Sequence, residues 1–63
     1  MEYDIVKAKR PLSDKINQGT IGTILIVYEG VPPQFEVEFV NDDMESIEVL
    51  TVSGTDVEPV NPD

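Results

Sequence analysis

The clearest pattern in the chain is the alternation of apolar and acidic side chains at positions 35–39, FEVEF. A strict period of two is typical of a β-strand that has one face on a core and the other in water. We therefore expect the aromatic and aliphatic members to be buried and the two carboxylates to be solvated. The inward set is Phe35, Val37 and Phe39; the outward set is Glu36 and Glu38.

A second strand is predicted at positions 23–28, TILIVY, where β-branched and aromatic residues follow one another. Apolar residues on both faces are typical of a strand that is covered on both sides, so this one is predicted to be central. Simple alternation puts two sets on opposite faces: Ile24, Ile26 and Tyr28 on one, Leu25 and Val27 on the other.

Two glycines, Gly19 and Gly22, precede this strand. Glycine is needed where φ turns positive or where backbones approach closely. The pair therefore predicts a tight turn or a bulge at the start of a curved strand.

Three further strands complete the pattern, at positions 3–8, 47–52 and 57–60. The connections are short and polar, with Asn and Asp at positions 41–43 as a turn signal. In the longest connection, 12–19, Ile16 is the apolar anchor, and positions 61–63 are expected to fray.

Five short strands with no long helical pattern and no repeat predict an all-β fold, a small five-stranded antiparallel barrel. Closing the sheet would hide the edges that a flat meander exposes. At 63 residues the chain is expected to form a single domain, 1–63, with its core in 3–60.

Charge is distributed very unevenly along the chain. Thirteen acidic residues against four basic ones give a net charge of −9, and all four cations precede position 16. Such a surface repels phosphate backbones and anionic lipids, whereas it attracts a basic protein surface. We therefore expect a basic protein partner, no nucleic acid and no membrane. The alternative is that the acidity only keeps a small protein soluble.

The chain contains no Cys, His or Trp, which leaves few routes to a disulfide or a transition-metal site. No cofactor is expected. Without a basic, apolar leader pattern at the start, the expected location is the cytoplasm.

The succession Y-D-I-V, G-T-I-G-T-I-L-I-V-Y, F-E-V-E-F, S-I-E-V-L-T-V and D-V-E-P-V resembles a small bacterial domain family of unknown function. Its members read roughly G-D-x-G-T-V-V-x-V-Y, Y-E-V-E-F, G-x-T and L-x-P-V, and they are similar to SH3-like (Src-homology-3-like) barrels. The likeness covers residues 3–60. It implies an SH3-like barrel and no assigned activity.

The chain departs from this pattern in the turn before the fourth strand. Met44 stands where the family usually has glycine, and Ser46 where it usually has threonine. We expect the preceding Asn41-Asp42-Asp43 segment to take up the positive φ instead.

Candidate catalytic groups are sparse. Ser13 with Lys15 is the one nucleophile–base spacing, but it lies in a polar loop that gives no reason for an activated lysine. Glu36 and Glu38 would suit acid–base work only inside a cleft, and a barrel of this size is filled by side chains. The chain is therefore not expected to be an enzyme.

Four carboxylates surround the predicted turn: Asp42, Asp43, Glu45 and Glu48. They offer oxygen ligands for Ca²⁺ or Mg²⁺ but do not follow the spacing of a calcium-binding loop. We therefore expect a solvated acidic turn that binds no metal ion.

A hairpin centred on Asp43 would set Phe39 opposite Ile47 and Val37 opposite Val49, all inward. The outward pairs would then be Glu38 with Glu48, and Glu36 with Leu50. Leu50 would be an exposed apolar residue in an acidic frame, which is typical of a recognition patch. The alternatives are a register that differs by one residue, or a Leu50 that is tucked under the last strand.

Tyr28, at a strand end, is a further candidate for partner binding, although such a tyrosine is usually half-buried with a wet hydroxyl. The predicted partner-binding residues are Glu36, Glu38, Glu48, Leu50 and Tyr28.

Two functions remain open. The first is a non-enzymatic, acidic protein-binding module, in one version an antitoxin-like or immunity-like neutraliser of a basic protein. The second is a structural or accessory barrel that helps to assemble an enzyme complex. A homodimer through the first or last strand edge is a further alternative.

Overall fold

The computed structural model describes residues 3–60 and contains five β-strands. The strands are β1 (Ile5–Ala8), β2 (Ile21–Tyr28), β3 (Gln34–Val40), β4 (Ser46–Ser53) and β5 (Val57–Pro59). The first strand begins two residues later than predicted, and the predicted fraying of 61–63 lies outside the described residues. Within the described part of the chain, no helix is long and apolar enough to span a membrane.

All five strands belong to one antiparallel sheet with the order β4-β3-β2-β1-β5. The predicted all-β, five-stranded antiparallel class is confirmed, and β2 is central, as its apolar composition indicates. The arrangement is consistent with the SH3-like barrel. Closure of the sheet into a barrel stays a prediction, since β4 and β5 are the two ends of the strand order.

The core lies on one face of the sheet and is entirely apolar among the described residues. Phe39, Val37 and Ile16 are fully buried, so the alternation of β3 and the anchor in the 12–19 loop are confirmed. The remaining buried side chains come from four strands: Val6, Ala8, Ile24, Val52 and Val57.

The buried Gly22 has no side chain, and this leaves room for two large side chains of the core. A Cβ at this position would lie 2.5 Å from Val37 Cγ1 and 2.9 Å from Phe39 Cδ1. Gly19, in contrast, has a φ of +90° and open space around it, so its role is to form the turn into β2.

The predicted faces of β2 are wrong beyond Ile24. The pairing with β3 shifts between Ile24 and Ile26, so Leu25 is the extra residue of a β-bulge. One extra residue reverses the alternation. Ile26 and Tyr28 therefore face outward, whereas Ile24 is buried and Val27 packs against the core.

The predicted β3–β4 register is also wrong, by one residue. Phe39 pairs with Glu48, Glu38 with Val49 and Val37 with Leu50, because the register shifts between Phe39 and Val40. The alternative register is therefore the correct one.

The turn between β3 and β4 is held by the Asn41 side chain. Its Oδ1 accepts hydrogen bonds from the backbone N–H groups of Asp43 and Glu45, both at 2.9 Å, and its Nδ2 donates to Glu45 Oε1 at 3.0 Å. Met44 itself has the positive φ, +64°. The expectation that the three residues before it would take up this conformation is wrong.

The β4–β5 turn is fastened to the end of β1. Arg10 Nη2 and Nε donate to Asp56 Oδ1 at 2.7 Å and 3.0 Å. The other carboxylate oxygen accepts the backbone N–H of Ser53 at 3.2 Å. One cation of the basic N-terminal segment is thereby paired, in an arrangement that fixes the short strand β5 beside β1.

Candidate functional site

The strongest candidate site is the sheet face opposite the core, which we call the outer sheet face. In an antiparallel sheet, residues that are directly paired lie on the same face. The register therefore places these side chains on it: Ile5, Thr23, Ile26, Tyr28, Glu36, Glu38, Val49 and Thr51. Lys7, Ile21, Gln34, Val40, Ser46, Ser53 and Glu58 lie on the same face.

Four large apolar side chains on this face are unusually exposed. Ile5, Ile26, Tyr28 and Val49 retain between 41% and 45% of their accessible surface. Singly exposed apolar residues are common, but these four come from three strands of a single face. Together they form a surface on which a partner could bury apolar area.

Two carboxylates run through the middle of this surface. Glu38 lies between Thr23 and Val49 in the register, and Glu36 lies between Ile26 and Thr51. The outer sheet face thus consists of an acidic strand, β3, with apolar and hydroxyl side chains on both of its neighbours.

Glu36 is held in place by hydrogen bonds from both sides. Thr51 Oγ1 donates to Glu36 Oε1 at 2.9 Å, and the Tyr28 hydroxyl donates to the same oxygen at 3.4 Å. The second contact is long, so the threonine provides the main restraint. A carboxylate positioned in this way is suited to receive a cationic group with little loss of side-chain freedom.

One cation lies on this face. Lys7 pairs with Ile21 and with Glu58 in the register, at the side of the sheet next to β5. Strands β2 to β5 contain no Lys or Arg. The electrostatic character of the central part of the face is therefore set by Glu36 and Glu38.

The predicted site residues divide into two groups. Glu36, Glu38 and Tyr28 come together on the outer sheet face. Leu50 does not: it is partly buried and packs against the core. The exposed apolar residue in the acidic frame is its neighbour Val49.

Glu48 is also removed from the predicted outward pair with Glu38. It pairs with the buried Phe39 and accepts a hydrogen bond from Ser13 Oγ at 2.7 Å. This contact ties the 12–19 loop to β4, and it gives the Ser13 hydroxyl a carboxylate partner. Lys15 donates its backbone N–H to Ser13 Oγ at 3.2 Å.

Ile5, Ile26 and Val49 were not recognised as site residues from the sequence. Simple alternation assigns Ile26 to the core face, and only the β2 bulge turns it outward. The register shift in the hairpin likewise places Val49 outward in place of Leu50. Ile5 is detectable in principle, because the buried Val6 and Ala8 alternate with exposed Ile5 and Lys7 in β1.

The acidic turn after β3 gives no arrangement suited to a metal ion. Across residues 3–60, no three acidic side chains are grouped so that they could hold one. Glu45 is hydrogen bonded to Asn41 Nδ2 and Glu48 to Ser13, so two of the four carboxylates serve structural roles.

Two open grooves border the sheet. A groove of about 520 Å³ has a lining that includes the apolar Ile24, Phe35 and Val57 and the acidic Glu58. A second groove, of about 430 Å³, lies between the 12–19 loop and the β3–β4 turn and includes Lys15, Asn17, Asp42 and Met44.

Comparison with protein families gave one finding. The family model described as "Domain of unknown function (DUF4926)" matches residues 2–59. No curated protein and no solved structure matches the chain significantly.

Proposed function

The chain belongs to the DUF4926 family, and we propose that it is a non-enzymatic, acidic, cytoplasmic protein-binding module whose partner is a basic protein. The observation that carries the proposal is the outer sheet face, where exposed apolar side chains flank the carboxylates of Glu36 and Glu38. This combination favours a partner that supplies both apolar area and positive charge.

Electrostatics supports a basic partner over an acidic or neutral one. The chain has a net charge of −9 and no cation after position 15. Complementary charge accelerates encounter and excludes like-charged competitors. One concrete version is an antitoxin-like or immunity-like neutraliser that masks a basic active surface.

A second candidate function is a structural or accessory module within an enzyme complex. The observation that favours it is the groove whose lining includes Ile24, Phe35 and Val57. An interface there would depend on apolar area, so it would be insensitive to added salt. Nucleic-acid binding is disfavoured, because phosphate groups would meet thirteen acidic side chains against four basic ones.

The test is an affinity pull-down from native-source lysate at about 0.05 M and about 0.5 M NaCl, where the Debye length falls to a few ångströms. We expect a basic protein to be recovered at low salt and lost at high salt. A neutral or acidic partner that is retained at high salt would contradict the proposal and favour the accessory module. If no protein is recovered, the acidic surface serves only to keep the chain soluble, and the proposal is contradicted.

Two charge-matched variants locate the interface. E36Q/E38Q removes two charges from the outer sheet face, and D42N/D43N removes two from the exposed β3–β4 turn. The two variants change the net charge by the same amount. A general effect of charge would therefore weaken partner binding equally in both. We expect E36Q/E38Q to lose the partner and D42N/D43N to keep it; the reverse order would place the interface at the turn.

A further inference from the structure

The two ends of the sheet differ in their capacity to accept another strand. β5 has three residues, the last of which is Pro59, and proline has no N–H to donate. β4 has eight residues without Pro, Lys or Arg. Short strands and prolines protect natural sheet edges against pairing with other chains, and of the two end strands only β5 has these two features.

The free edge of β4 is restricted to positions 48–52. The register shift next to Ile47 disturbs the ladder at the start of the strand, and Ser53 donates its N–H to Asp56. Within residues 3–60, no loop backbone group forms a hydrogen bond to the main chain of positions 48–52. In a strand paired on one side only, every second residue directs its N–H and C=O toward the open side.

The charges around this edge select the kind of strand that would fit. Behind the outward side chains Val49 and Thr51 lie Glu38 and Glu36 of β3. A strand added to β4 would lie two strand spacings from β3, about 10 Å. Val49 and Thr51 are short, so a long cationic side chain on the added strand could extend over them to the carboxylates.

A second copy of this chain fits the same edge poorly. β3 and β4 carry three glutamates and no cation, so pairing of two β4 edges would bring Glu36 and Glu38 of both copies to one continuous face. Two chains of net charge −9 repel each other over the Debye length.

We propose that β4 accepts an extended segment of a basic partner by strand addition, with Lys or Arg at alternate positions of that segment directed toward Glu36 and Glu38. This inference rests on the proposed function and gives its mode of binding. Main-chain hydrogen bonds would supply affinity, and the alternating cations would supply specificity.

The test uses three blocked octapeptides against the full chain, with binding followed by NMR titration. The first alternates Lys and Val, the second replaces each Lys with Glu, and the third keeps Lys but is N-methylated at alternate amides. N-methylation removes hydrogen-bond donors without changing charge. We expect the first to bind and the other two to bind at least tenfold more weakly.

Two readouts locate the bound peptide. Alternate backbone amides in positions 48–52 should exchange rapidly in the free chain and become protected in the complex. E36Q/E38Q should weaken the Lys–Val peptide by about fivefold, whereas D42N/D43N should leave it nearly unchanged.

The failures of the two proposals are distinguishable. Equal binding of the N-methylated peptide, or no binding of the Lys–Val peptide, would overturn strand addition. The pull-down at two salt concentrations would still test, independently, whether the partner is a basic protein. If raising the concentration of the chain alone protects the same amides, and sedimentation shows a dimer, the β4 edge pairs with a second copy of the chain. That result would also overturn the proposal.

Discussion

At the scale of single residues, Met44 has a backbone conformation that ordinarily favours glycine. Its φ is +64° and its side chain is 71% exposed, so little packing offsets the steric cost of the left-handed region. That cost is about 1–2 kcal/mol for a residue with a Cβ. The Asn41 side chain accepts hydrogen bonds from Asp43 and Glu45, the residues on either side of Met44, and so holds the turn in this conformation.

Replacing Met44 with glycine should therefore stabilise the chain. After the larger conformational entropy of glycine in the unfolded state is subtracted, we expect Met44→Gly to raise the free energy of unfolding by about 0.5 kcal/mol. The matched control is Met44→Ala, which removes the same exposed side chain but keeps a Cβ, and should change little. Urea denaturation measures both; an equal gain from alanine would assign the effect to the methionine side chain.

At the scale of elements, two one-residue irregularities decide which side chains are available to a partner. The Leu25 bulge turns Ile26 and Tyr28 outward, and the shift after Phe39 turns Val49 outward and Leu50 inward. Without them, simple alternation would present Leu25, Val27 and Leu50 on the outer sheet face in place of Ile26, Tyr28 and Val49. The candidate site is therefore a product of strand pairing.

The β3–β4 register predicts unequal losses of stability for two neighbouring truncations. Leu50 packs against the core, so Leu50→Ala should lower the free energy of unfolding by about 1–2 kcal/mol. Val49 is 45% exposed, so Val49→Ala should cost about 0.5 kcal/mol. Denaturation of the two variants under identical conditions makes the comparison. A larger loss for Val49→Ala would restore the register that places residue 49 in the core.

At the scale of the whole molecule, the chain carries far more negative charge than its ion pairs compensate. Arg10 and Asp56 form a salt bridge at 2.7 Å, with the Arg10 side chain 65% exposed. Exposed pairs of this kind contribute little. A net charge of −9 in a Cα radius of gyration of 10.6 Å therefore leaves repulsion among carboxylates as the dominant electrostatic effect on stability.

Added salt should consequently stabilise the free chain. Raising NaCl from about 20 mM to about 300 mM should increase Tm by roughly 4–8 °C, which corresponds to about 1 kcal/mol for a domain of this size. Calorimetry provides the measurement. E36Q/E38Q, which carries two fewer negative charges, should show a smaller increase. A Tm that falls with salt would mean that attractive pairs outweigh the repulsion.

The same salt has opposite effects on folding and on the proposed binding. Screening relieves repulsion within the chain while it weakens attraction to a basic partner. Loss of the partner at high salt, together with an unchanged or higher Tm, would exclude unfolding as the cause of dissociation.

The sequence by itself determined the features that depend on local pattern and composition. The alternation at 35–39 identified a strand and its buried face, the apolar run at 23–28 identified the central strand, and the cation-free stretch after Lys15 determined the charge of the surface. Side-chain period is a property of consecutive residues, so it can be read without knowing what the strand pairs with.

Only the tertiary structure decided the register, and with it the site. Whether Leu25 is inserted as a bulge depends on how β2 and β3 align around Gly22, where Val37 and Phe39 leave no room for a Cβ. Whether Val49 or Leu50 is buried depends on the turn that Asn41 closes. Because one inserted residue reverses every face beyond it, contacts between distant residues determined which side chains form the outer sheet face.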